Sequence, residues 1–61
     1  MKIESSTVGD VTINIVIISD YEHAELAEQF ADQIDNGYTF LTSYEAESGS
    51  AIAFVFGFTA A

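Results

Sequence analysis

Residues 19–37 read SDYEHAELAEQFADQIDNG. This segment has residues typical of a helix start at one end and of a helix stop at the other. Ser19 followed three residues later by Glu22 is the pattern of a capping box, in which two side chains satisfy the free N–H groups of a first turn. Asn36 and Gly37 form a typical helix stop, because Gly accepts the left-handed conformation there. We therefore predict a helix over residues 20–35.

The apolar residues of this predicted helix recur at spacings of three and four, which places them on one side of it. They are Leu26, Ala27, Phe30, Ala31 and Ile34. A single apolar stripe has to pack on another element, and the flanking sequence supplies a sheet for it.

Four segments around the helix have the β-branched and aromatic composition of strands. These segments are residues 3–8, 11–19, 38–46 and 50–59. Gly9 and Asp10 suit a two-residue hairpin turn, and residues 47–49 suit a second turn. The order β-β-α-β-β predicts an α+β fold, with one helix packed on a mainly antiparallel four-stranded sheet.

Period-2 alternation assigns the side chains of the last two strands to the two faces of the sheet. We expect one face to form an aromatic bed for the helix from Tyr38, Phe40, Tyr44, Ile52, Phe54, Phe56 and Phe58. The other face would carry Thr39, Leu41, Ser43, Glu45, Ala51, Ala53, Val55 and Gly57. Because one helix covers one face only, we expect Leu41, Ala53 and Val55 to be exposed or to form a homodimer interface.

Length and composition limit the classes of protein to which this chain can belong. Residues 1–61 amount to one small domain, and the absence of cysteine removes disulfides and thiolate sites and favours the cytoplasm. No apolar run follows Lys2, so we expect no signal peptide. The apolar segments fall well short of the roughly 20 residues that cross a bilayer, so we expect no membrane span.

Charge is the most unusual feature of the sequence. Ten Asp and Glu residues stand against one Lys and no Arg, which gives a formal net charge of -9. We expect no direct binding to nucleic acid, because contacts with phosphate need Lys and Arg. We therefore expect either a basic protein partner or a charge that serves solubility alone.

Most of the acids are concentrated on the predicted helix, on the side opposite Phe30 and Ile34 when each residue advances by about 100°. The acids of this arc are Glu22, Glu25, Glu28, Asp32 and Asp35. Tyr21 projects to the same side as a candidate interface anchor. At the margins of the predicted surface lie Asp20, Glu45, Glu47 and Asp10.

The spacing of these carboxylates is comparable to that of a nucleic-acid backbone. Five carboxylates over roughly 20 Å compare with one phosphate per about 3.4 Å along a DNA strand. Like charges three or four residues apart weaken a helix, and no cation on this helix offsets them. The pattern indicates either a functional acidic surface or a face that is simply solvated.

Catalytic and metal-binding motifs are missing from the sequence. His23 has no second His or Cys to join it, and no Gly-x-Ser-x-Gly elbow or Asp-x-Asp-x-Asp-Gly loop occurs. We therefore predict no enzyme, no catalytic residues, no metal site and no cofactor.

The chain resembles the phage-encoded DNA mimics, in particular small acidic anti-CRISPR proteins. It shares with them a small size, a lack of cysteine, a near absence of basic residues and an acidic helix on an aromatic-rich sheet. The resemblance covers the whole chain in composition and includes no diagnostic motif. It implies that the protein occupies the DNA-binding channel of a CRISPR effector subunit in a host bacterial cytoplasm. It also implies that the helix acids stand in for phosphates and that the protein inhibits by competing with target DNA.

Two other interpretations stay open at this point. Proteins adapted to extreme salt also carry excess acid and little lysine, but six of the ten acids here lie within residues 20–35 rather than over the whole chain. Alternatively, the chain is a structural or assembly subunit whose functional surface is the apolar second face of the sheet.

Overall fold

The computed structural model describes residues 1–19 and 23–60. These residues form four strands and one α-helix in the order β-β-α-β-β, as the sequence predicts. The elements are β1 (Lys2–Val8), β2 (Val11–Ser19), α1 (His23–Asp35), β3 (Thr39–Ala46) and β4 (Ala51–Thr59). A single 3-10 turn, Glu47–Gly49, joins β3 to β4.

The strands form one antiparallel sheet in the order β1-β2-β4-β3. β4 is inserted between β2 and β3, so β2 and β3 both oppose it and run parallel to each other. α1 is the crossover between these two parallel strands. The register pairs Val16 with Phe54 and Asn14 with Phe56, so the even-numbered residues of β2 and β4 share the face that α1 covers.

The two hairpin turns occur where the sequence predicts them. Gly9 has a φ of 59° and is the only residue of the Gly9-Asp10 turn with positive φ, which is the pattern of a type II′ turn. In the second turn Glu47, Ser48 and Gly49 have φ values of 51°, 57° and 89°. The Ser50 hydroxyl and backbone N–H both donate to the Glu47 carbonyl oxygen, at 2.7 and 3.2 Å, and close this turn.

The C-terminus of α1 is closed by a Schellman motif. The Tyr38 N–H donates to the Gln33 carbonyl at 2.9 Å, and the Gly37 N–H donates to the Ile34 carbonyl at 3.0 Å. Gly37 has the left-handed φ of 87° that the motif requires. The predicted stop at Asn36 and Gly37 is confirmed. The predicted start at Asp20 and the capping partner Glu22 lie outside the described residues.

The core lies between α1 and the sheet and is mostly aromatic. Phe30 of α1 contacts three rings of the sheet, those of Phe40, Phe54 and Phe56, with centroid distances of 5.4, 5.3 and 5.0 Å. Its contacts with Phe54 and Phe56 are edge-to-face, the arrangement that places a positive ring edge on a negative ring face. Phe30 therefore anchors the helix.

The helix is rotated relative to the stripe that the sequence predicts. Leu26 and Phe30 face the core, but Ala27 and Ala31 are exposed and 54% of the Ile34 surface is accessible. The prediction that these three residues pack on the sheet is wrong.

The reason is a polar residue on the covered face of the sheet. Asn14 of β2 lies beneath α1, and its Nδ2 donates to Oε1 of Gln33 at 3.0 Å. Gln33 is only 8% exposed, and the Asn14 Oδ1 accepts from the Ser5 hydroxyl at 2.7 Å. Because a buried amide without a partner is costly, the helix turns Gln33 inward and Ile34 outward.

A β-bulge in β3 overturns part of the predicted face assignment. The register shifts between Phe40 and Thr42, so Ser43 pairs with Phe54 and Glu45 pairs with Ile52 on the covered face. Tyr44 pairs with Ala53 and therefore lies on the opposite face. The extra residue of a bulge reverses the alternation of every later side chain, which simple period-2 counting does not anticipate.

Candidate partner-binding surface on the helix

Four acidic residues form one exposed ridge along α1. They are Glu25, Glu28, Asp32 and Asp35, all solvent-exposed. With Leu26, Phe30 and Gln33 facing the sheet, a rotation of about 100° per residue places the four acids within an arc of about 80° on the outer side. We call these four residues the acidic ridge.

The ridge is short and evenly spaced. Glu25 and Asp35 are ten positions apart, which corresponds to about 15 Å at a rise of about 1.5 Å per residue. Successive acids are therefore about 4.5 to 6 Å apart along the axis. This spacing is somewhat wider than the phosphate spacing of about 3.4 Å along one DNA strand.

Glu25 lies in the first turn of α1, where an acid is favourable, but the rest of the ridge does not stabilise the helix. Asp32 and Asp35 lie at its C-terminal end, where the helix dipole is negative and cations are favoured, and the last turn contains no basic residue. Each acid is also three or four residues from another acid of the ridge. Such pairs cost about 0.2 to 0.5 kcal/mol each, so the ridge is maintained at an energetic cost.

An apolar strip borders the ridge, and sequence reasoning missed it. Ala27, Ala31 and Ile34 lie between the core-facing side of α1 and the ridge, and all three are exposed. The sequence does contain a signal for this strip. Gln33 interrupts the apolar pattern of the helix and Asn14 interrupts that of β2, and two such polar residues can face and pair with each other. The ridge therefore offers both charge and apolar contact.

The two predicted acidic residues of the sheet occupy different positions relative to the ridge. Glu45 is exposed on β3, and the bulge moves it to the same face of the sheet as α1. Glu47 is exposed in the 3-10 turn, at the end of the sheet nearest the start of α1. Asp10 lies in the β1–β2 turn at the other end, and the Ala60 N–H donates to its carbonyl at 2.8 Å.

Three of the predicted surface residues, Asp20, Tyr21 and Glu22, lie outside the described residues, so their place relative to the ridge stays a prediction. Within residues 1–19 and 23–60, no group of three or more Asp, Glu, His or Cys side chains is arranged to hold a metal ion. In the same ranges there is no helix long and apolar enough to cross a bilayer.

Comparisons of the chain with protein-family models, with curated proteins and with solved structures each found no match.

Proposed function

We propose that this protein is an inhibitor that presents the acidic ridge, as a mimic of the DNA backbone, to a basic nucleic-acid-binding protein of a bacterial defence system. The proposed target is of the CRISPR effector type, the proposed site of action is the host cytoplasm, and the proposed mechanism is competition with target DNA. The predicted neighbours Asp20, Tyr21 and Glu22 would extend the ridge toward the start of the helix.

The observation that carries this proposal is the uncompensated acidity of one exposed helix face. A helix face that only has to stay solvated usually mixes both signs of charge. Here the sequence supplies one Lys for ten acids, and the ridge places two Asp residues at the unfavourable end of the helix dipole. An arrangement that costs stability and gathers one sign of charge suits a basic partner.

A second candidate function, that of a structural or assembly subunit, is favoured by the face of the sheet opposite α1. That face carries exposed Leu41 and Tyr44 in addition to the small residues that alternation predicts. In this alternative the ridge keeps the protein soluble and the sheet face makes the functional contact. The two candidates make opposite predictions for substitutions on the two surfaces.

Charge reversal on the ridge tests the proposal. The triple substitution Glu25→Lys, Glu28→Lys and Asp32→Lys should weaken partner capture by well over tenfold, because close charge pairs at complementary interfaces couple by about 1.5 kcal/mol or more. Folding should be retained or improved, because repulsive pairs along the helix become attractive. Immobilised protein would be used to capture basic nucleic-acid-binding proteins from a bacterial lysate, with and without competing duplex DNA.

A matched pair of variants separates position from total charge. Glu28→Lys and Glu4→Lys both change the formal charge from -9 to -7, since each substitution adds two units. Only Glu28→Lys should weaken capture. If circular dichroism shows that the triple variant is folded and it still captures the same proteins, the ridge is a solvated face and the proposed function is wrong.

A further inference from the structure

The face of the sheet that α1 leaves uncovered is the second distinctive surface of the molecule. β2, one of the two central strands, contributes Val11, Ile13, Ile15 and Ile17, which alternate with the residues beneath the helix. β4 contributes small residues and Val55, and β3 contributes Leu41, Thr42 and Tyr44. We call this surface the open face.

The open face is mainly apolar on β2, β3 and β4, although many of its side chains are accessible, whereas β1 contributes the polar residues Lys2, Glu4 and Ser6. Leu41 is 54% exposed, Tyr44 is 50% exposed and Val8, at the end of β1, is 78% exposed. The three isoleucines that β2 contributes to this face, Ile13, Ile15 and Ile17, are half-buried. Tyr44, which the β3 bulge brings here, belongs to a residue type that is enriched at the centres of protein interfaces.

Charge distinguishes the open face from the rest of the molecule. By the strand register, the charged residues of this face are Lys2 and Glu4 alone. The face is therefore formally neutral in a chain of net charge -9. The face therefore has no local excess of acids to attract a basic partner. A second copy, in contrast, can meet this face without bringing the acidic ridges of the two chains together.

The open face approaches the size of a dimer interface. Four strands at about 4.8 Å and nine residues at about 3.3 Å span roughly 19 by 30 Å, or about 570 Å² in projection. Stable interfaces bury about 600 to 1,000 Å² per partner, so a dimer contact would use nearly the whole face, β1 included. An open cleft of about 500 Å³ lies at one end of this face, lined by Ile13, Leu41 and Gly57 and, from the helix side, by Gly37 and Phe58.

The core of one chain is also thin. Among the described residues, the buried apolar side chains are Val16, Ile18, Phe56, Ala51 and Ala53, and the two alanines belong to the open face rather than to the helix side. A 61-residue chain without disulfides commonly needs oligomerisation in addition to its own core. The neutral charge and the area of the open face, together with the thin core, all favour a second copy of this chain as its partner.

We propose that the open face binds a second copy of this chain, so that two sheets pack face to face with α1 on the outer side of each. The symmetric contact is self-complementary, as in most homodimers. It would place the two acidic ridges on opposite outer faces of the dimer. This inference does not depend on the proposed function, because no residue of the acidic ridge takes part in the contact.

Leu41→Glu and Ile34→Glu form a matched pair for testing the dimer, since both residues are 54% exposed and both substitutions add one negative charge. We expect the mass of the unmodified protein in sedimentation and light scattering to rise from 6.6 kDa toward twice that value between about 10 µM and 1 mM. Leu41→Glu should weaken dimerisation by about tenfold or more, because it buries an unpaired carboxylate. Ile34→Glu should leave dimerisation unchanged.

Isotope-filtered NMR on a mixture of labelled and unlabelled parent protein locates the contact without any substitution. We expect intermolecular contacts from the methyl groups of Ile15, Ile17 and Val55. A monomer at every concentration, a dimer that Leu41→Glu leaves intact, or intermolecular contacts confined to the free edge of β1 would each overturn the proposal. If Leu41→Glu does not fold, Tyr44→Glu takes its place.

Salt separates this proposal from the proposed function. Screening the repulsion between two chains of charge -9 should strengthen dimerisation, whereas it should weaken capture of a basic partner by the acidic ridge. If the dimer forms but salt-sensitive capture is not observed, the dimer proposal is supported and the proposed function of the acidic ridge is contradicted. If a monomer shows salt-sensitive capture, the proposed function is supported and the dimer proposal is contradicted.

Discussion

Gln33 shows how one buried polar side chain sets the orientation of a whole helix. Its hydrogen bond with Asn14 is the contact that turns Ile34 outward, and Ser5 extends the network to the edge strand β1. The network links α1, β2 and β1, so it fixes the helix relative to two strands. A hydrogen bond between partly buried groups contributes about 1 kcal/mol net, but leaving one partner unsatisfied costs up to about 3 kcal/mol.

The residue-scale prediction concerns this pair. Gln33→Leu should lower the free energy of unfolding by about 1 to 2 kcal/mol, because the Asn14 amide loses its acceptor while it stays beneath the helix. Combining it with Asn14→Val should recover part of the loss, since both polar groups are then gone and exposed Ser5 can bond to water. Urea unfolding of the two single variants and the double variant measures the coupling, and strictly additive losses would contradict the pairing.

At the scale of elements, two local features decide how α1 and β3 meet the sheet. The Schellman motif ends the helix at Asp35 and directs the chain into β3, and the bulge between Phe40 and Thr42 reverses the faces of the residues that follow. As a result Glu45 joins the side of the acidic ridge and Tyr44 joins the open face. The composition of the open face, and the position of Glu45 on the same side as the acidic ridge, therefore depend on one extra residue in an edge strand.

The element-scale prediction tests the end of the helix. Gly37→Ala should lower stability by about 1 to 2 kcal/mol, because a left-handed φ is unfavourable for a residue with a Cβ. The new Cβ would also lie 3.4 Å from Cε2 of Phe58. Gly37→Asn is the control and should lose less, since Asn adopts the left-handed region more readily. Equal melting temperatures for the parent and the Ala variant would contradict the role assigned to Gly37.

At the scale of the whole molecule, the acids are distributed unevenly between two surfaces. Of the ten acids, six lie within residues 20–35, whereas the open face holds only the pair Lys2 and Glu4. The long dimension of the molecule is 36 Å. Because the Debye length is about 30 Å in 0.01 M salt, nearly every pair of acids repels at low ionic strength.

The whole-molecule prediction follows from this repulsion. Raising NaCl from about 0.01 to 0.5 M shortens the Debye length to about 4 Å, so the melting temperature of the parent should rise by several degrees at fixed protein concentration. The triple ridge variant, whose formal charge is -3 because three substitutions each add two units to -9, should respond less. A melting temperature that does not change with salt, or an equal response in both proteins, would contradict this account.

Local patterns in the sequence are enough to predict the element order, both hairpin turns, the end of the helix and the acidic composition of its outer side. Each of these depends on local chemistry. Glycines set turn geometry, β-branched runs favour extended chain, and the 3.6-residue period fixes which acids share a side with one another. For that reason Glu25, Glu28, Asp32 and Asp35 form one exposed ridge, as predicted.

The rotation of α1 and the face of each residue after the bulge follow instead from contacts between distant parts of the chain. The rotation depends on Gln33 meeting Asn14, a contact between residues 19 positions apart that no local periodicity encodes. The bulge depends on how β3 pairs with β4, and one extra residue is enough to exchange Tyr44 and Glu45 between the two faces. Both outcomes are set by long-range pairing, where satisfying buried polar groups and filling the core outweigh the local pattern.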